Sequence, residues 1–159
     1  MSQPDVAPRV RTRDRPIIGW REWIGLPELG VAWVKAKVDT GARSSSLHAW
    51  DLDVDEAHGV VQFAVHPFQH DDETTTAVSA PLVELRDVRS SNGDVETRPV
   101  IGTRIVIAGL VVPIELTLSA RDEMGFRMLL GRTAARRRFL IDPGRSFRGG
   151  GDRLHPPGG

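Results

Sequence analysis

The chain has no cysteine, which excludes disulfides and thiolate metal sites. No apolar run approaches the roughly 20 residues that a membrane-spanning helix needs. Net charge is absent as well: 21 basic residues balance 21 acidic ones, which argues against a broad nucleic-acid or membrane-surface role. There is no H-E-x-x-H. His66 and His70 have the i, i+4 spacing of a helical metal pair but flank Pro67, where helix geometry is disfavoured. A metal site would have to be assembled at long range from His48, His58, His66, His70 and carboxylates. No G-x-x-x-x-G-K-[ST] loop is present, so any ATP dependence would come from a partner enzyme. Met1 to Arg15 lacks the apolar segment of a secretory signal, and the expectation is a cytoplasmic protein without cofactor.

What is present is mostly β pattern. The 159 residues suit one domain with enough core to fold unaided. Residues 1–15 and the Gly- and Pro-rich residues 149–159 read as disordered tails around a folded unit at 16–148. Alternation predicts strands over Ile17–Ile24, Val31–Val38, Ser45–Val54, Val60–Val65 and Thr76–Leu85. Val95–Ile107 and Leu110–Leu118 form a hairpin about Ala108-Gly109, and Asn92-Gly93 carries a turn signal. Thr133–Phe139 is the one convincing helix. Many short strands with one late helix predict an all-β domain, closed or sandwiched.

Asp39-Thr40-Gly41-Ala42 directly follows the strand ending at Val38. A carboxylate at a strand end, before a residue that tolerates a tight turn, is held at a fixed point, as acid/base chemistry requires. Far downstream, Met128-Leu129-Leu130-Gly131-Arg132 places two apolar residues and a glycine on another strand. The ordered pair resembles the signature of retropepsin-type aspartic proteases. Such proteolysis needs two carboxylates sharing one proton, one as base toward water and the other polarising the scissile carbonyl. Only one D-T-G occurs in the chain, so a two-fold homodimer in which Asp39 faces its own copy is the physical solution. Thr40 would bond across the axis, and Gly41 and Ala42 would let backbone approach substrate. Leu129, Leu130 and Gly131 would pack under the loop, with Arg132 opening the helix. The hairpin about Phe63 to Val78, with Phe68 and Gln69 near its tip, falls where a retropepsin flap does.

The resemblance extends to a bacterial family of small retropepsin-like proteins, often labelled ATP-dependent zinc proteases and associated with RimK-type ATP-grasp glutamate ligases. It is carried by Gly19-Trp20-Arg21-Glu22-Trp23, Lys35 to Arg43, Val65-His66-Pro67, Arg121-Asp122-Glu123-Met124, Phe126 to Ala134 and Phe139 to Ser146. One departure is Ala120, where the family has Asn. The resemblance implies a retropepsin-like closed β-barrel with a flap hairpin and a short C-terminal helix, and Asp39 as catalytic residue. It also implies a peptide or protein substrate linked to glutamate tails, and an ATP-grasp ligase as partner. An acidic substrate calls for positive charge near the cleft, from Arg43, Arg121 and Arg127; equally, these arginines could pair with Glu22, Asp122 or Glu123 inside the fold. Two alternatives stand beside the peptidase: a non-catalytic module that binds the ligase, and a zinc-dependent peptidase. A serine mechanism on Ser44 to Ser46 with His48 lacks a recognisable orienting acid.

Overall fold

Period-two burial is clearest in the long strands. In Val95–Ile107 the side chains of Ile101, Thr103, Ile105 and Ile107 turn inward while Gly102 and Arg104 face solvent, as a sheet with one wet face demands. The computed structural model describes residues 11–66, 75–89, 92–120 and 125–150. Its strands are β1 (Ile17–Gly19), β2 (Arg21–Leu26), β3 (Val31–Asp39), β4 (Ser45–His48), β5 (Trp50–Asp55), β6 (Val60–Val65), β7 (Thr76–Arg89), β8 (Val95–Ile107), β9 (Leu110–Ser119), β10 (Met128–Gly131) and β11 (Leu140–Asp142). A single short helix, α1 (Arg132–Ala135), follows β10, and one-turn 3₁₀ segments lie at Thr12–Asp14 and Pro27–Leu29.

The main sheet runs β2-β3-β10-β4-β9-β8-β7-β6-β5, and a further pairing of Gly25 on β2 with Val106 on β8 closes it into a ring. The result is an all-β, barrel-like fold, with β7, β6 and β5 extending from β8 beyond the closure. Closure covers the edge that β2 would otherwise present, while β5 stays at the edge of the extension. Ile24, Leu26, Val34, Leu47, Ile105, Leu116 and Leu130 fill the interior and are essentially inaccessible. The β8–β9 hairpin turns through Ala108 at φ 51° and Gly109 at φ 78°, the two positive angles that a two-residue type I′ turn requires. The β6–β7 hairpin pairs Val65 with Thr76 through Val60 with Pro81.

Besides β7, which runs on to Arg89 instead of ending at Leu85, three elements depart from the expected bounds. The first strand is broken at Trp20, whose N–H donates to the Arg145 carbonyl and whose own carbonyl accepts from Val38 N–H. The chain there passes from β11, the parallel partner of β1, to β3, the antiparallel partner of β2. Ser45–Val54 is likewise two strands: after His48 the chain leaves β9 for β6, with Asp51 at φ 54° absorbing the change. The helix covers only Arg132–Ala135, because Arg136 is extended and Arg137 sits at φ 65°. That early exit delivers Phe139 to the core.

A second small sheet, β1 with β11, is parallel and joins the two ends of the described fold. Next to it lies Glu22, which is fully buried. Its carboxylate accepts from the backbone N–H groups of Gly19 at 2.6 Å, Arg148 at 2.7 Å and Gly149 at 3.0 Å. Charge-assisted bonds of this kind are about twice as strong as neutral ones. Phe147 stacks on Trp23 at 5.7 Å, and Arg21 reaches both the Ser146 hydroxyl and the Phe147 ring. The C-terminal segment is thereby fastened across β2.

Candidate active site

Asp39 is the last residue of β3, and Gly131 stands opposite it as the last residue of β10. Strand β10 lies between β3 and β4, the strands that enter and leave the loop at residues 40–44. It runs parallel to β3 and antiparallel to β4. All four of its residues are buried, and Leu129 and Leu130 stand opposite Lys37 and Val38, the two residues before Asp39.

Around Asp39 the chain closes tightly on itself. Gly41 N–H donates to Asp39 Oδ1 at 3.0 Å, and Ala42 N–H donates to the Asp39 carbonyl at 3.2 Å. The loop is then clamped from α1. Arg132 N–H donates to the Ala42 carbonyl at 2.8 Å, and its Nη1 donates to the Gly41 carbonyl at 3.2 Å. Thr133 gives both its N–H and its hydroxyl to the Arg43 carbonyl, at 3.2 and 2.8 Å. Below, the Gly131 N–H donates to Ser45 Oγ at 3.0 Å. A Cβ on Gly131 would lie 2.5 Å from the Ser44 carbonyl group, closer than any side chain is tolerated, so only glycine lets β10 approach the loop.

The expected residues separate into three groups. Asp39, Gly41, Ala42, Leu129, Leu130, Gly131 and Arg132 are brought together as one unit. Thr40 and Arg43 are exposed on the same loop. Arg127 is buried, with its guanidinium 4.8 Å over the Trp50 ring and Nη1 3.5 Å from His48 Nδ1. Phe68, Gln69 and Arg121 lie outside the described residues, as does the tip of the flap hairpin. Glu22, weighed above as an ion-pair partner for these arginines, is occupied instead by main-chain N–H groups.

Neither Ser45, weighed only within a serine mechanism, nor Thr133 was expected to hold the loop, although both do. Their bonds span 86 and 90 residues, and no local spacing announces such contacts. A further group, His48, Trp50, His66 and Arg127, packs around one indole: His48 stacks on it at 3.7 Å and His66 meets it edge-on at 4.1 Å. His66 Nδ1 is 3.2 Å from the Thr75 hydroxyl, and His48 Nε2 is 3.1 Å from the Ala120 carbonyl. Both ring nitrogens of His48 are thus taken, by Ala120 and Arg127, and no group of three or more His, Asp or Glu side chains converges among the described residues. The described residues do not fit a zinc ion.

Residues 17–149 match the RimB-like family, described as retropepsin-like aspartic endopeptidase RimB. The chain belongs to the RimB-like family. Among curated relatives, a "Probable alpha-L-glutamate ligase" from Desulfotalea psychrophila is 46% identical over 131 residues, covering 81% of this chain and 28% of that protein. One of the same name from Shewanella halifaxensis is 43% identical over 133 residues, covering 82% of this chain and 29% of that protein. The chain thus spans less than a third of the curated relatives it matches. The RimB-like fold also resembles the crystal structure of Lpg0085, a protein of unknown function from Legionella pneumophila. The TM-score is 0.68 at 26% identity, covering 84% of this chain and 98% of that one. No helix among the described residues is long and apolar enough to cross a membrane.

Proposed function

We propose that this chain is a homodimeric aspartic peptidase whose catalytic dyad is Asp39 from each of two subunits, with residues 16–148 as the catalytic domain. The observation that carries this reading is the Asp39 loop itself: a carboxylate at a strand end that accepts from Gly41 N–H, on a loop whose backbone is held by Arg132 and Thr133. A second carboxylate must come from elsewhere, and two-fold symmetry supplies it. Facing carboxylates share one proton because two like charges so close cannot both ionise. The ionised member takes a proton from a water as that water attacks the scissile carbonyl carbon. The protonated member donates to the carbonyl oxygen, and the tetrahedral intermediate then collapses with protonation of the leaving amine. Thr40 holds the two loops together across the axis, Gly41 and Ala42 face the substrate backbone, and the β6–β7 hairpin closes over it.

The substrate class we infer is acidic: a glutamate-tailed protein or polyglutamate made by a RimK-type ligase. The printed names of the relatives support this, since the matching segment there is part of proteins called glutamate ligases. Such a ligase is the partner we propose, in a cytoplasmic setting where ATP is available. The deciding experiment is Asp39→Asn, assayed on a glutamate-rich peptide. Cleavage is expected to vanish while the thermal unfolding midpoint stays close to that of the unsubstituted chain. Persistent cleavage in Asp39→Asn would rule out the dyad.

A further inference from the structure

Beside the Asp39 loop lies a cavity of about 400 Å³. Arg43 belongs to the loop, Arg86 comes from β7 and Arg138 follows α1, while Pro113 and Ile114 of β9 supply an apolar wall and Glu115 one acidic group. The three cations are not equivalent. Arg86 is already engaged by Glu84 and by Glu115, the latter at 3.0 Å, and these bonds raise its pKa. Arg43 and Arg138 form no ion pair among the described residues. Arg138 spends only Nη1, on the carbonyls of Thr133 and Ala134, each at 3.3 Å. Burial lowers its pKa, because a guanidinium there has lost solvent without gaining a counter-charge.

We propose that this cavity is a carboxylate subsite, taking an acidic side chain of a peptide held over the Asp39 loop. Two planar guanidinium groups present fork-shaped donors that match a carboxylate. Glu115 in the wall disfavours a dense polyanion such as RNA. The cavity is also rigidly coupled to the candidate catalytic loop, because the Arg43 carbonyl is the acceptor for both donors of Thr133. Arg43 is four positions beyond Asp39, and four residue steps span at most about 14 Å. The acidic side chain therefore lies within about four residues of the bond over Asp39. What the subsite serves rests on the peptidase reading; whether it binds does not.

The test is calorimetric titration of tetraglutamate into the Asp39→Asn protein, which retains the cavity whether or not the native chain cuts. Binding is expected, with tetraglutamine giving no heat. Arg43→Gln combined with Arg138→Gln is expected to weaken tetraglutamate at least tenfold, while Arg104→Gln, on the outer face of β8, leaves it unchanged. Arg138 also caps α1, so Arg43→Gln alone, at an exposed side chain, provides a second measure and is expected to weaken binding at least threefold. Arg138→Lys is expected to restore part of the loss, as a cation would and a purely structural role would not. Unchanged affinity in both Arg43 variants, absence of binding, or equally tight binding of an oligouridylate of the same charge would each overturn the proposal. Loss of turnover in Asp39→Asn with tetraglutamate bound normally would leave both readings standing. Turnover in Asp39→Asn with binding intact would remove the dyad and keep the subsite.

Discussion

Gly131 and Ser45 illustrate how narrowly single residues set the loop. Gly131→Ala places a methyl group against the Ser44 carbonyl, and is expected to cost about 3 kcal/mol by denaturant unfolding, since backbone on both sides cannot yield. Ser45→Ala removes the acceptor for a buried N–H and is expected to cost about 2 kcal/mol. Glu22→Gln replaces a charged acceptor of three main-chain bonds with a neutral amide, for an expected loss of about 3 kcal/mol. Lys35 provides a pH test. Burial, and secondarily the charge of Arg21, lowers its pKa, so the folded state disfavours the protonated form that both states carry at neutral pH. The penalty is relieved as pH rises through the lowered folded value and is gone above the ordinary lysine value. Lys35→Met is thus expected to be more stable than the native chain at pH 7, with the difference shrinking by pH 11 in paired thermal melts.

At the level of elements, residues 146–149 after β11 act as a strap across β2. Phe147 stacks on Trp23, and Arg148 and Gly149 occupy the Glu22 carboxylate. A chain ending at Ser146 leaves that buried carboxylate with one donor, and is expected to lose about 2–4 kcal/mol in chemical unfolding. The strands were legible where alternation is local: β3, β6, β8 and β9 lie close to where Val31–Val38, Val60–Val65, Val95–Ile107 and Leu110–Leu118 pointed. The breaks at Trp20 and Ala49 were not, because each marks a change of hydrogen-bond partner between distant strands, which no local pattern announces. The helix was over-read because Ala and Arg favour helix locally, whereas Phe139 is drawn into the core. For the candidate site, Asp39 to Ala42 and Leu129 to Arg132 were legible as a pair. The clamp from Ser45 and Thr133 was not, since hydroxyls that serve a fold at long range look like any others.

For the whole molecule, one D-T-G per chain makes the proposed activity a property of pairs. Light scattering on a size-exclusion column across a dilution series is expected to show twice the mass of one chain, giving way to single chains at low concentration. Below the dissociation constant, specific activity should fall in proportion to concentration. A mass of one chain at every concentration, with activity retained, would require another source for the second carboxylate.

Strand β10 also orders events in time. Its neighbours β3 and β4 do not pair with each other, so the loop between them has no clamp until the chain through Thr133 has been made. Contacts so far apart in sequence close slowly, because loop entropy is lost before pairing compensates it. A ribosome therefore releases Asp39 long before the geometry exists to use it. Most of the sheet can form on the nascent chain while the carboxylate remains unposed, and the proposed chemistry stays silent until Thr133 has been made.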